Sequence, residues 1–311
     1  MLGGSAVLAQ DIQALSKSNL VGVLADKSLG LYVGILSIIL SGKGYVPLNP
    51  KFPKDRINYM IAESGVDTIV CDSSLAEVVE DLKVQFPQVN FITISCSPKN
   101  TDFKFEYNRS EESLCYLLFT SGSTGKPKGV SINELNLNSY LDYILETYKY
   151  RPEDRVIQTF DANFDLSVHD IFVTWLSGAC LYPLTGPDLY FPGHFVKKHK
   201  ISIWFSVPSL AMIMSKMKQV TESNLSSLRL SLFCGEALPT SVVSLWKEAS
   251  HSDIFNFYGP TEATIAILDY SCSSIKNNDS LLATTPIGKP FKGHLAQVLS
   301  LDGEKLSLIH I

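Results

Sequence analysis

From Leu29 onward, short apolar runs rich in β-branched and aromatic residues alternate with stretches whose apolar residues recur every three or four positions. A run of the first kind reads as a buried strand and one of the second as a helix with a single apolar face. Their alternation is satisfied by helices layered on mostly parallel sheets, so the fold class is α/β. Leu29–Leu40 predicts a buried core helix. Pro53 to Ser64 predicts a second, with Ile57, Met60 and Ile61 on one face and Gly65 as the stop. Val66–Cys71 reads as a strand, the stripe Leu75, Val78, Val79, Leu82 as a helix, and Val89–Ile94 and Leu114–Phe119 as strands. Leu137, Leu141, Ile144 and Tyr148 mark a helix face, Arg155–Phe160 a strand, and Val168, Ile171, Phe172 and Trp175 one helix ending at Gly178. The second half repeats the order, with strands at Ile201–Val207, Leu228–Cys234 and Asp253–Tyr258 and helices opening at Pro208 and Pro239. Ser95–Glu112 and Ser271–Ser280 read as polar connections.

Composition narrows the function classes. The 311 residues allow two domains or one large α/β unit. Charged residues make up 18%, below the usual ~25%, and apolar residues 45%, which excludes a disordered chain. The net charge of −5 lacks the basic excess of a nucleic-acid binder. The longest apolar stretch, Leu29–Leu40, is too short to span a bilayer. No basic n-region with a cleavage site opens the chain, and six scattered cysteines form no CxxC pair. A cytoplasmic protein with reduced thiols, no membrane partner and no nucleic-acid partner is expected. The last six residues, LSLIHI, match one reading frame of a sequencing-library transposase adapter and are excluded from the fold reading, with the gene expected to be cut near Lys305.

Thr120–Gly129 reads TSGSTGKPKG and follows the apolar strand LCYLLF. Glycines let the backbone approach an anion, hydroxyls and amides donate to phosphate oxygens, and lysines supply charge. The segment is not a Walker A loop, because Lys126 is followed by Pro127 and no glycine stands five positions before Gly125. Read as residues alone it is either a polyphosphate cradle or a flexible surface turn. Downstream, NFYGPTEAT (Asn256–Thr264) presents an aromatic ring, a hydroxyl and a carboxylate on a Gly-Pro turn after a strand. These groups suit an adenine face, a phosphate and Mg²⁺ with its waters; the alternative is a β-turn with a solvated Glu and a core Tyr. In FDLS, Asp165 stands just before a helix that carries His169, a common N-cap position.

Taken together, these strings resemble the adenylate-forming (AMP-binding) superfamily, whose members include acyl-CoA synthetases, luciferases and nonribosomal peptide synthetase adenylation domains. LCYLLFTSGSTGKPKGV is similar to the family's phosphate-binding motif. LSGKGYVPLNP (Leu40–Pro50), TFDANFDLS (Thr159–Ser167), FCGEAL (Phe233–Leu238) and NFYGPTEAT resemble further family motifs in the family's order. GYVPLNP and NFYGPTE look most like amino-acid adenylation domains and D-alanine–carrier-protein ligases.

The resemblance implies part of the large N-terminal domain of that fold over residues 1–305, as two α/β subdomains divided near residues 110–150. The C-terminal lid domain, with its catalytic lysine and the ribose-binding Asp before it, has no counterpart in these residues, and the family's strand-rich opening is curtailed. The implied reaction is ATP-dependent activation of a carboxylic acid as an acyl adenylate with release of pyrophosphate, with Mg²⁺ as cofactor. The acyl group would pass to the phosphopantetheine thiol of a carrier protein. Thr120, Ser121, Gly122, Ser123, Thr124, Gly125, Lys126 and Lys128 would hold the phosphates. Gly235, Glu236, Ala237, Asn256, Phe257, Tyr258 and Gly259 would surround adenine and ribose. Thr261 would contact the α-phosphate and Glu262 would ligate the metal, so that Lys128, Thr261 and Glu262 carry the catalytic roles.

By the amino-acid branch's pattern, Asp165 pairs with a substrate α-ammonium, the N-cap role remaining the alternative. Leu166, His169, Phe205, Leu232, Cys234, Phe257, Ile265 and Ala266 would line the side-chain pocket. None of these is Asp, Glu, Lys or Arg, which implies a small or modest uncharged substrate side chain such as that of alanine. His169 could instead bond a polar substrate side chain, and a satisfied helix histidine is the equal alternative. The competing readings are an acyl- or aryl-CoA ligase, separated by Asp165, and a non-catalytic nucleotide-binding relic.

Overall fold

The structure is a computed structural model that describes residues 2–94, 109–121, 126–275, 283–303 and 305. It divides into two compact units, one of residues 1–139 with 160–169 and one of residues 140–159 with 170–311. Mixed α/β architecture, with parallel strands flanked by helices, holds in each.

The first unit is built from α1 (Leu2–Leu15), β1 (Leu20–Leu24), α2 (Leu29–Leu40), β2 (Gly44–Leu48), α3 (Lys54–Ser64), β3 (Thr68–Cys71), α4 (Ala76–Gln85), β4 (Asn90–Thr93), β5 (Leu114–Thr120) and β6 (Lys128–Asn133). The strands form one sheet in the order β4-β3-β1-β2-β5-β6, parallel except for the β5–β6 pair. Strands β1, β2 and β3 are buried along their whole length, as expected of parallel strands covered on both faces. Helix α2 coincides with the predicted core helix. Ser28 caps it by accepting from the Leu31 N–H, and Gly34 lets it close on β1, since a Cβ there would lie 2.9 Å from Val23 Cγ2. Helix α3 begins one residue later than predicted, with Pro53 as its N-cap, and ends at left-handed Gly65.

Three strands of this sheet, β1, β2 and β6, have no counterpart among the strands expected from the sequence. β2 contains Pro47, a residue that argues against a central strand because it cannot donate to the ladder. β1 contains Gly22, needed because a Cβ would sit 2.9 Å from Ile69 Cγ1 on β3. The polar connection before β5 ends in a buried group, because the Arg109 guanidinium pairs with Glu134 and donates to the Lys43 and Leu114 carbonyls at 3.0 and 2.8 Å.

Helix α5 (Glu134–Tyr148) begins in the first unit and ends in the second. Beyond it come β7 (Arg155–Gln158), α6 (Leu166–Val168), α7 (Thr174–Ser177), β8 (Cys180–Pro183), α8 (Pro192–His199), β9 (Ile203–Ser206), α9 (Pro208–Lys216), α10 (Glu222–Leu225), β10 (Leu230–Phe233), α11 (Thr240–Ala249), β11 (Asp253–Tyr258), β12 (Leu268–Ser271) and β13 (Lys289–Pro290). The second unit's sheet runs β13-β12-β11-β10-β9-β7-β8, parallel from β11 to β8 and antiparallel at β11–β12 and β12–β13.

One face of this sheet carries Trp204, Phe233 and Ile254, packed with Trp246 of α11. Both indole N–H groups are satisfied, Trp204 by Ser206 Oγ and Trp246 by Ser231 Oγ, each at 2.9 Å. On β12, the Asp269 carboxylate accepts from the Tyr143 hydroxyl at 2.8 Å and from the Tyr148 hydroxyl, which ties the end of α5 to this sheet.

One sequence expectation is corrected. Val168 to Trp175 is not a continuous α-helix, because residues 169–173 are π-helical between α6 and α7. Thr174 and Ser177 hydroxyls bond back to the Asp170 and Val173 carbonyls, contacts that bend and widen a helix.

Candidate functional site

In the first unit, TSGSTGKPKG joins the antiparallel strands β5 and β6, with Thr120 opposite Lys128. The Tyr59 hydroxyl donates to the Pro127 carbonyl at 3.0 Å and fixes the returning arm. Thr120 is half-buried, and Ser121, Lys126 and Lys128 are exposed. Among the described residues no carboxylate pairs with either lysine. Gly122, Ser123, Thr124 and Gly125 lie outside the described residues.

In the same unit, the segment before α6 is tethered twice. Asn163 Nδ2 donates to the Pro47 carbonyl at 2.8 Å, and Lys27 pairs with Asp161 at 3.5 Å. Asp165 occupies the N-cap position, but its side chain makes no capping hydrogen bond. Its carboxylate is half-buried, and its charge acts on two fully buried phenols, Tyr45 and Tyr116. Both are pushed upward chiefly by burial, with Asp165 adding to the shift. Their rings stand 5.9 Å apart at paired positions on β2 and β5. Leu166 and His169 are buried, and burial pushes the His169 imidazole down to about 3, so it is neutral at physiological pH.

In the second unit, a cavity of about 350 Å³ opens beyond the carboxyl ends of β10 and β11. Open α/β sheets place their ligands at such strand ends. Its lining holds Gly235, Glu236, Ala237, Asn256, Phe257, Tyr258 and Gly259 together, all seven residues read from the sequence as adenine and ribose neighbours. Thr284, Thr285 and Ile287 complete the wall. The sequence analysis assigned no role to these three residues.

Tyr258 is 48% exposed, so its ring is available to a ligand. Asn256 is buried, and its Nδ2 donates to the Pro286 carbonyl at 2.9 Å. That bond orients the amide and leaves Oδ1 without a donor among the described residues. The Glu236 carboxylate is committed elsewhere. It accepts from the Ser209 N–H at 2.9 Å and the Ser209 hydroxyl at 3.0 Å, capping the first turn of α9.

The turn after β11 is tight. Gly259 abuts Ala266, Thr261–Ala263 form one 3-10 turn, and Thr264 and Ile265 adopt left-handed φ of 62° and 72°. Two consecutive β-branched residues in that region store strain of a kind that clusters at functional sites. Thr261 is half-buried and Glu262 exposed, whereas Ile265 and Ala266 are buried. Among the described residues no group of three or more His, Cys, Asp or Glu side chains could hold a metal.

Pairing of Leu232 with Phe205 and with Phe255 puts Phe205, Leu232 and Phe257 on one sheet face, opposite to Trp204 and Phe233. The Phe205 and Phe257 rings meet edge-on at 6.1 Å, and Tyr148 covers Phe257 at 5.3 Å. Cys234 follows directly on β10 and is also buried. Phe205, Leu232, Cys234 and Phe257 make this part of the face apolar, and the Asp269 carboxylate, opposite Phe257 on the same face, is held by the Tyr143 and Tyr148 hydroxyls.

A family model described as AMP-binding enzyme matches residues 5–307. Bacitracin synthase 3 of Bacillus licheniformis is 29% identical over 93% of this chain and 4% of its own length. The D-alanine–D-alanyl carrier protein ligase of B. licheniformis is 29% identical over 94% of this chain. The chain spans 58% of that ligase. The crystal structure of the Vibrio cholerae adenylation domain AlmE, in complex with glycyl-adenosine-5'-phosphate, superposes with a TM-score of 0.84 at 31% identity, covering 97% of this chain and 61% of that one. No helix among the described residues is long and apolar enough to cross a membrane.

Proposed function

Because the chain belongs to the AMP-binding enzyme family, we propose that it belongs to a ligase that activates a small uncharged amino acid with ATP, as an aminoacyl adenylate, for transfer to the phosphopantetheine thiol of a carrier protein. The observation that carries this reading is the cavity that gathers Gly235–Ala237 and Asn256–Gly259 around the acceptor Asn256 Oδ1. In the step proposed, a substrate carboxylate oxygen attacks the α-phosphorus of ATP. The new O–P bond forms as the bond to the bridging oxygen breaks, and pyrophosphate leaves with that electron pair. Such a step needs alignment and charge neutralisation rather than a protein nucleophile.

In this reading the exposed Lys126 and Lys128, with the hydroxyls of Thr120 and Ser121, hold the departing phosphates, and Thr261 orients the α-phosphate. Mg²⁺ binds through one or two carboxylates plus substrate phosphates and keeps several waters, so a single exposed carboxylate at Glu262 fits it. When bound, the ion would offset phosphate charge. Tyr258 packs on the base. Glu236 contributes to the wall through its backbone and stem, since its carboxylate caps α9.

The substrate class rests on Asp165, on the apolar face of Phe205, Leu232 and Phe257, and on a neutral His169. An ammonium paired with Asp165 distinguishes an amino acid from a fatty acid, which would leave that carboxylate without its counter-ion. The glycyl adenylate in the AlmE structure and the carrier protein in the ligase's name support a small amino acid and a carrier-bound thiol.

The test is ATP–pyrophosphate exchange by the full-length protein, comparing alanine and glycine with their des-amino analogues. Removing one partner of a buried ion pair costs about 3–5 kcal/mol, so the amino forms should be preferred by at least a hundredfold, and Asp165→Ala should abolish the preference. Equal activation of propionate and alanine by the wild type would move the protein to the CoA-ligase branch.

A further inference from the structure

The cavity of the second unit contains a polar atom that the reading above leaves unused. Thr285 lines the cavity and is 5% exposed, and its Oγ1 has no hydrogen-bond partner among the described residues. A hydroxyl buried without a partner is destabilising, and native proteins contain few of them. One that borders a ligand-sized cavity therefore points to a contact made when the ligand is present.

The position of Thr285 is fixed by its neighbours. Its N–H donates to the Leu238 carbonyl at 2.7 Å, and the Thr240 N–H donates to the Ala283 carbonyl at 3.3 Å. Thr284 forms an antiparallel bridge with Pro239, and the Pro286 carbonyl accepts from Asn256 Nδ2 at 2.9 Å. The wall is thus held on both sides of the hydroxyl.

The same cavity carries a second unpartnered buried atom, Asn256 Oδ1, which can only accept. A hydroxyl can donate. A ligand that satisfies both offers an N–H next to a lone pair. The edge of adenine does so, because its exocyclic amino group lies between the ring nitrogens N1 and N7. Guanine places a carbonyl where adenine has the amino group, which would set acceptor against acceptor at Asn256 Oδ1.

We propose that Thr285 Oγ1 donates a hydrogen bond to a ring nitrogen beside adenine's amino group while Asn256 Oδ1 accepts from that amino group, so that the two side chains together hold the edge of the base and Asn256 Oδ1 sets adenine apart from guanine. This rests on the reading that the cavity receives the base of ATP. It makes Thr285 a binding residue for the base of the nucleotide.

The test uses the full-length protein, its Thr285→Val variant, which keeps the side-chain shape without the hydroxyl, and Thr285→Ser, which keeps the hydroxyl. Exchange kinetics are measured with ATP, GTP, 1-deaza-ATP and 7-deaza-ATP. Loss of one neutral hydrogen bond should raise the KM for ATP about three- to tenfold in the Val variant. The rise should fall on that KM rather than on kcat or on the amino-acid KM, and GTP, opposed by Asn256 Oδ1, should remain a poor substrate in both variants. The wild type should lose a similar factor with one deaza analogue, identifying the nitrogen contacted, and the Val variant should lose nothing further with that analogue. The Ser variant should retain most of the ATP affinity.

An unchanged ATP KM in Thr285→Val, or a wild type that uses both deaza analogues as well as ATP, would overturn the proposal and assign the hydroxyl to bound water. The analogue arm needs only the wild type, so the proposal is tested even if the Val variant fails to fold. A wild type that neither binds nor uses any nucleoside triphosphate would overturn the nucleotide reading itself, and this inference with it.

Discussion

Gly259 and Ala266 approach so closely that a Cβ on residue 259 would lie 2.5 Å from the Ala266 Cα. The obstacle is backbone, which cannot rotate away as a side chain can. The contact closes the turn between β11 and β12, reinforced by the bond from the Ile267 N–H to the Tyr258 carbonyl at 2.9 Å. It also sets the place of Tyr258 on the cavity wall and of Thr261 and Glu262 beyond it. Gly259→Ala should therefore destabilise the protein by about 1–3 kcal/mol, the usual cost of an overpacked site. It should also weaken ATP use. Urea denaturation alongside exchange kinetics would check both, and wild-type stability in the variant would contradict the close approach.

Lys128 stands opposite Thr120 at the mouth of the β5–β6 hairpin, exposed and with no carboxylate partner among the described residues. A charge-assisted hydrogen bond from it to a phosphate is worth about 1.5–3 kcal/mol. Lys128→Ala should lower kcat/KM for ATP by roughly one to two powers of ten, while thermal stability stays within about 0.5 kcal/mol of wild type. Unchanged exchange in the variant would remove this hairpin from the phosphate site.

His169 is buried and neutral, with its pKa pushed down to about 3 by burial. In the unfolded chain it returns to the ordinary histidine value near 6.5. Between these values the unfolded chain binds a proton that the folded protein does not, so stability falls as pH drops from about 6.5 toward 3 and is unaffected by this group above that range. His169→Asn should remove up to ~1.4 kcal/mol per pH unit from the slope of stability against pH in that window. The comparison concerns the slope, because the substitution also changes packing. The exchange activity should show no histidine ionisation from residue 169 near neutral pH. A slope identical in wild type and variant would show that the imidazole is solvated.

Local sequence determined much of this protein. The helices α2 and α3 and the strands β5, β9, β10 and β11 follow from periodicity and from stop and start residues such as Gly65 and Pro208, because an element's apolar face is written in its own spacing. The TSGSTGKPKG and Tyr258–Glu262 strings stood out as candidates for the same reason, as each is a contiguous set of groups with matching chemistry. β1 and β2 were not, since Gly22 and Pro47 are tolerated there only through the strands on either side. The tertiary structure alone decided which polar atoms are left over for a ligand. The Glu236 carboxylate is bound by Ser209, the Asn256 amide donor by Pro286, and the Thr285 hydroxyl by none of the described residues. Partners of this kind come from segments distant along the chain, so hydrogen-bond satisfaction depends on how those segments pack and leaves no trace in the spacing of neighbouring residues.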